Sequence, residues 1–168
     1  GRNTACSTYP TYKVPDGVTT VLGNSLSGFK GTEIDLNEVA TVKDQAIFNT
    51  SMQTLRIGNN LENLNGIGSN GLLTNIIIDE GNPYMQSVDG VLFNNDKTSL
   101  ILYPEAKTGD YTLPKGVKKI ESRAFRSFNT KNTTASKITC HAELEEIAGY
   151  AFYSARVNSI DLSSCKNL

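Results

Sequence analysis

The chain has no tryptophan, one histidine, two methionines and three cysteines among its 168 residues. Each shortage removes a class of chemistry. His141 together with Cys6, Cys140 and Cys165, none of them in CxxC spacing, does not supply the ligand set of a zinc site, and one histidine beside one cysteine is no catalytic triad without a positioned third group. Gly-rich phosphate loops, a GxSxG elbow and an HExxH pair are all missing. Asp79-Glu80 and Asp96 lie in turn-forming stretches without EF-hand spacing, so they read as ordinary turn carboxylates. An excess of either charge is lacking too: 16 basic residues against 17 acidic ones give a net charge of −1, without the basic surplus of a nucleic-acid or membrane-surface binder. Apolar runs such as Leu72-Leu73 and Ile76-Ile77-Ile78 are far too short to span a bilayer. The expectation is a chain without catalytic residues, metal or cofactor.

What the sequence has instead is repetition. Its cleanest unit is Tyr111 to Phe125, in which Tyr111 and Leu113 alternate as in a strand, Pro114 and Gly116 turn the chain, Val117 and Ile120 add two apolar anchors, and Ala124-Phe125 closes the unit. The same alternating pair recurs at Tyr12/Val14, Ile34/Leu36, Leu55/Ile57, Ile76/Ile78, Ile138/Cys140 and Ile160/Leu162. Successive units step by 22, 21, 21, 35, 27 and 22 residues, and four of these, at 21 or 22, keep closely to the roughly 20–29-residue period of leucine-rich repeats. Downstream anchors keep pace at Val18/Val21, Val39/Val42, Leu61/Leu64, Val117/Ile120 and Leu144/Ile147, and the Ala-aromatic closure returns at Ala151-Phe152 and more loosely at Ala46-Ile47-Phe48. One short repeat cannot enclose its own apolar face, so the copies must stack, with their strands pairing in a parallel ladder.

The two long steps hold insertions. In Asn82 to Pro104, Val91-Leu92-Phe93 and Leu100-Ile101-Leu102-Tyr103 flank the polar cluster Asn94 to Ser99, which reads as a β-hairpin; Asn129 to Thr134 is polar throughout and reads as an exposed loop. The fold class expected is α/β, mostly β: a leucine-rich-repeat right-handed solenoid of about seven short repeats with a hairpin insertion near 82–104. Residues 1–11 read as a leader or linker and 12–168 as the repeat domain. The last unit supplies a strand at Ile160/Leu162 and then stops without a polar cap, so the native chain is expected to continue or to be covered there. The opening Gly-Arg-Asn-Thr-Ala-Cys, without Met or an apolar leader core, reads as a processed or trimmed start.

The segments 111–125 and 82–104, the latter reading Asn-Pro-Tyr-Met-Gln-Ser-Val-Asp-Gly-Val-Leu-Phe-Asn-Asn-Asp-Lys-Thr-Ser-Leu-Ile-Leu-Tyr-Pro, resemble the BspA-like leucine-rich-repeat proteins. That family carries an IP-x-x-V-x-x-I-x-x-x-AF-x-x-C unit and an NP-x-Y-x-S-x-DGVLFN-x-D-x-T-x-L-x-x-YP insertion, and the second motif matches almost position for position. The resemblance implies a secreted or surface-anchored protein of a host-associated bacterium, with relatives in some protozoa, engaged in adhesion to host proteins and in cell-cell contact. Two units depart from the pattern: the third has Gly66-Ile67-Gly68-Ser69-Asn70-Gly71 where Ala-Phe belongs, and the first has Leu26-Ser27-Gly28-Phe29.

On each repeat strand the residue between the two inward apolar positions points away from the core. This selects Lys13, Asp35, Arg56, Ile77, Thr112, Thr139 and Asp161 as candidate ligand-binding residues, flanked by Thr11, Glu33, Thr54, Asn75, Asp110, Lys137 and Ser159 before the pair and by Pro15, Asn37, Gly58, Asp79, Pro114, His141 and Ser163 after it. Taken singly, such positions are usually plain hydrated surface. Ile77 is the one apolar member and the leading contact anchor. Cys140 and Cys165 read as small buried fillers, with a bridge between adjacent repeats as the alternative in an oxidising compartment; Cys6 is either a free thiol or, in a precursor, near a lipid-attachment site. His141 reads as an exposed loop-edge residue, and Lys115, Lys118, Lys119, Arg123 and Arg126 as a solvated basic face offset by Glu105, Asp110 and Glu121. Asn49-Thr50-Ser51 and Asn132-Thr133-Thr134 are glycosylation sequons only in a eukaryotic source. The function expected is non-catalytic extracytoplasmic recognition of a protein or glycan, host-derived if the resemblance holds, through the strand face and the hairpin. The alternative is a structural spacer within a longer surface protein.

Overall fold

Every strand among the described residues is short because a turn arrives before a longer one can form. The computed structural model describes residues 10–128 and 136–168 and contains no helix among them. The first half holds β1 (Thr11–Lys13), β2 (Thr20–Val21), β3 (Glu33–Asp35), β4 (Thr41–Val42), β5 (Thr54–Ile57) and β6 (Asn75–Ile78). The insertion forms β7 (Met85–Val88), β8 (Val91–Asn94) and β9 (Ser99–Leu102). The second half holds β10 (Tyr111–Thr112), β11 (Lys119–Ile120), β12 (Lys137–Thr139), β13 (Glu146–Ile147) and β14 (Ser159–Asp161). Cys6, the loop at 129–134 and its sequon lie outside the described residues.

The result is a β-solenoid of about seven turns. The alternating pairs form front strands, joined in parallel in the order β1-β3-β5-β6 and again as β10-β12-β14. Most of their inward members are buried: Ile34, Leu36, Leu55, Ile57 and Ile138 have no exposure and Val14, Ile76, Leu113 and Cys140 have at most 3%, while Tyr12, Ile78, Tyr111, Ile160 and Leu162 are half-buried, each fully buried aliphatic side chain stabilising the fold by about 1.5–3 kcal/mol. The downstream anchors make a second ladder, β2 with β4 and β9-β11-β13, which buries Val21, Val42 and Ile120. Turns stacked coil on coil make a third. Phe125 N–H donates to Ala151 O at 2.8 Å and Ser127 N–H to Tyr153 O at 2.9 Å, as Leu26 does to Ala46 O and Gly28 to Phe48 O in the first half.

The Ala-aromatic closure has a physical role in this third ladder. Ala124 and Ala151 are buried where the chain turns inward, and the aromatic beside each stacks on its neighbour: Tyr103 and Phe125 lie 5.1 Å apart at 24°, Phe125 and Phe152 4.9 Å apart at 12°. This column runs through the core of the second half.

The front strands do not form one continuous sheet, which corrects the expectation of seven segments side by side. Between β6 and β10 the insertion intervenes: Ile76 N–H donates to Gly90 O at 3.1 Å and Ser87 Oγ to Ile76 O at 2.6 Å. The insertion is also three strands rather than two. β7 pairs antiparallel with β8 through a two-residue turn, Asp89-Gly90, both at positive φ as a type I′ hairpin requires. β9 pairs antiparallel with β8 and parallel with β11, so it doubles as the second-ladder strand of a coil. Both faces of β8 are buried, Leu92 toward the first-half core and Val91 and Phe93 toward the second, so the insertion is a plate between two cores.

Candidate functional site

Strand register decides which outward side chains meet. Lys13 pairs with Asp35, Asp35 with Arg56 and Arg56 with Ile77, so four of the seven candidate residues lie abreast on one row. Thr112 pairs with Thr139 and Thr139 with Asp161, which puts the other three on a second row beyond the hairpin tip. Lys13 and Thr112 are exposed and the remaining five are half-buried.

The first row is internally charge-paired. Arg56 donates to Asp79 Oδ1 at 2.8 Å, with Glu33 4.0 Å away, and its pKa is raised chiefly by the Asp79 hydrogen bond. Ile77 sits next to that cluster. On the second row, Lys137 and Asp161 pair at 2.9 Å across β12 and β14; hydrogen bonds from Ser163 and then Lys137 hold the Asp161 carboxyl well below the usual range. Asp35 accepts from Asn37 N–H at 2.8 Å and is tied down locally.

The position after each pair does something else. Asn37 Nδ2 reaches the Val14 carbonyl at 3.1 Å and His141 Nε2 contacts the Pro114 carbonyl, so both bind the preceding coil. His141 is therefore a half-buried stitch rather than an exposed loop-edge residue. Of the basic set, Lys118 and Lys119 are surface partners of Glu145, Glu121 and Glu146, but Arg126 turns inward, with a side chain only 15% exposed beside buried Glu105. Asp96 caps its own turn through Thr98 N–H and Oγ1. Cys140 is buried, a position that lifts its thiol to about 11, and Cys165 Sγ lies 3.3 Å from the carbonyl of His141. Both thiols are free; Cys140 is a buried filler, whereas Cys165 is only half-buried.

A groove of about 900 Å³ escaped the sequence reading. One wall is the third coil, Glu62 to Ser69; the other is β9 with the turn Glu121 to Ser127. It opens because the third coil contributes no strand to the second ladder and leans on the coil before it, where Gly66 lies against the Val42 and Lys43 backbone. Exposed Tyr150 and Tyr153 stand at one rim and Phe48 at the other. The available signal was the missing Ala-Phe closure at Gly66 to Gly71: without an aromatic plug, this stretch lines a depression.

The comparisons with known proteins agree with this geometry. A family profile described as BspA type leucine rich repeat region matches in six copies, over residues 4–105 and 101–168. No curated protein matches the sequence. Among solved structures, the pneumococcal vaccine antigen PcpA superposes with a TM-score of 0.65 at 22% identity, over 95% of this chain and 54% of that one. A leucine-rich repeat protein from Eubacterium ventriosum gives 0.59 at 19%, over 90% and 56%. A leucine rich cell surface protein from Faecalibacterium prausnitzii gives 0.66 at 21%, over 93% and 42%. At these identities the likeness is one of fold, and the chain spans about half the length of each of these proteins.

Proposed function

Taking as premise that this chain belongs to the BspA-type leucine-rich-repeat family, we propose that it is a non-catalytic recognition module, secreted or held at the cell surface, that binds a protein or glycan through its front strands. The observation that carries the reading is the register itself. Backbone groups on the front are consumed in the ladder, so the surface offered to a partner consists of side chains at fixed spacing of about 4.8 Å between coils. Lys13, Asp35, Arg56 and Ile77 form such a series, with one apolar member at the end of a charged row. Thr112, Thr139 and Asp161 extend it past the hairpin. Similarity to a cell-surface protein and to a vaccine antigen supports the location.

The test is a binding screen of the purified chain against host matrix proteins and glycans, repeated with Ile77→Asp combined with Arg56→Gln. Glutamine is chosen because a glutamate at 56 would stand among Glu33, Asp35 and Asp79 and disturb the strand by repulsion. Loss of binding at unchanged thermal stability supports the strand face. Unchanged affinity moves the site elsewhere, and the absence of any ligand leaves the spacer reading.

A further inference from the structure

The groove carries an inference separate from the strand face. Its volume lies in the range of small-ligand sites, and its lining has two parts. The first is aromatic. Tyr150 and Tyr153 are 72% and 59% exposed, and their rings meet edge to face at 6.2 Å, forming a corner. Exposing two rings this far without covering them is costly for a surface that has alternatives. The second part is short and polar. The side chains of Gln45, Asn65 and Ser122 line the groove and make no hydrogen bond within the described residues.

The charges narrow the ligand further. Glu121 is paired with Lys119 at 3.2 Å, and Arg126 faces Glu105 at 3.6 Å. Arg123 alone among the basic lining residues has no carboxylate partner among the described residues, as Glu62 has no basic one, and it adds repulsion to Arg126 behind it. It stands on the turn stacked next to that of Tyr150 and shares its positive φ, 61° in both. An unpaired guanidinium next to two open phenol rings suits a ligand with a flat carbon-hydrogen face, many hydroxyls and a carboxylate.

The geometry points to an acidic oligosaccharide, one carrying a uronate or sialate carboxylate, as the ligand of this groove. The carboxylate sits on Arg123, one sugar face packs on Tyr150 or Tyr153, and the amide and hydroxyl side chains take the ring hydroxyls. An extended peptide is the poorer fit. Backbone groups along the 121–127 turn are spent between coils, Phe125 on Ala151 and Ser127 on Tyr153, so that wall offers no edge for strand addition.

The experiment is an array of sialylated and uronate-containing oligosaccharides, their neutral counterparts and acidic peptides, with affinities of positives measured in solution. Three proteins are compared: the unaltered chain, Arg123→Gln, and Tyr150→Asn with Tyr153→Ala; asparagine tolerates the positive φ at 150. All these side chains are exposed, so thermal midpoints should hold. Binding of an acidic glycan in preference to its neutral form, weakened at least about tenfold by either variant and unchanged by Ile77→Asp, supports the proposal (about 1.4 kcal/mol per tenfold). Absence of any acidic-glycan binding, equal binding of neutral forms, indifference to both variants, or binding of acidic peptides alone overturns it.

Discussion

Arg126 Nε lies 3.6 Å from Glu105 Oε1, with their side chains 15% and 3% exposed, and this pair fastens the turn at 121–127 to the third coil. Glu105 accepts from Ser69 Oγ at 2.8 Å and Asn70 N–H at 3.0 Å, while Arg126 Nη2 donates to the Gly68 carbonyl at 2.6 Å. Burial lowers the Arg126 pKa and the Glu105 charge opposes that shift.

Removing one partner should therefore cost far more than removing both. Glu105→Ala leaves a buried guanidinium without its counter-charge and the Ser69 and Asn70 donors without their acceptor, and is expected to lose about 3–5 kcal/mol. Glu105→Gln with Arg126→Met should cost distinctly less, since neither charge is stranded. Urea unfolding of the three proteins checks this; an equal loss in both variants would contradict it.

Glycines test the close approach of coils. A Cβ on Gly66 would meet the Val42 carbonyl carbon at 2.3 Å and Lys43 N at 2.3 Å, both backbone, so the third coil could not lean on the second. Gly66→Ala should destabilise by more than about 3 kcal/mol, beyond the usual single-substitution range. Gly149 has nothing within 4 Å and no positive φ, and Gly149→Ala should be neutral or stabilising by about 0.4–1 kcal/mol. Thermal unfolding of the pair distinguishes them, and comparable midpoints would refute the close packing.

Alkaline pH should unfold the protein through its second-half core. Burial raises Cys140 from 9.0 to about 11 and Tyr103 from 10.0 to about 12, and pushes Tyr111 higher still. These groups stay protonated in the fold after the unfolded chain has released its protons, so their contribution is complete below about pH 9 and declines as pH rises toward the folded values. Urea midpoints should fall from about pH 9 upward. The part of the tyrosinate absorbance that comes from Tyr103 and Tyr111 should appear only with unfolding. Its appearance in a still-folded protein would be the contrary result.

The repeat was legible because each coil must bury the same positions. The inward pairs, the anchors at Val21, Val42 and Ile120 and the column ending in Phe125 and Phe152 all follow from period and residue type. The family motif located the insertion, yet β7 was overlooked although Asp89-Gly90 between Val88 and Val91 is a strong hairpin signal. The split of the front into two rows depends on Gly90 docking against Ile76, a long-range contact that periodicity does not encode. The groove was hidden for the same reason: its walls come from coils far apart in the chain. Arg126 looked like surface because its burial depends on Glu105, and composition does not say which charges turn inward.

The central claim is that the row Lys13, Asp35, Arg56, Ile77 is a recognition surface. Its most direct measurement is the solution affinity of Ile77→Asp/Arg56→Gln for whichever matrix protein or neutral glycan the unaltered chain captures, read beside the Arg123→Gln variant. The account predicts at least about a tenfold loss for the strand-face variant, with its thermal midpoint retained and the groove variant unaffected for that ligand. Equal affinity of the strand-face variant and the unaltered chain would contradict it.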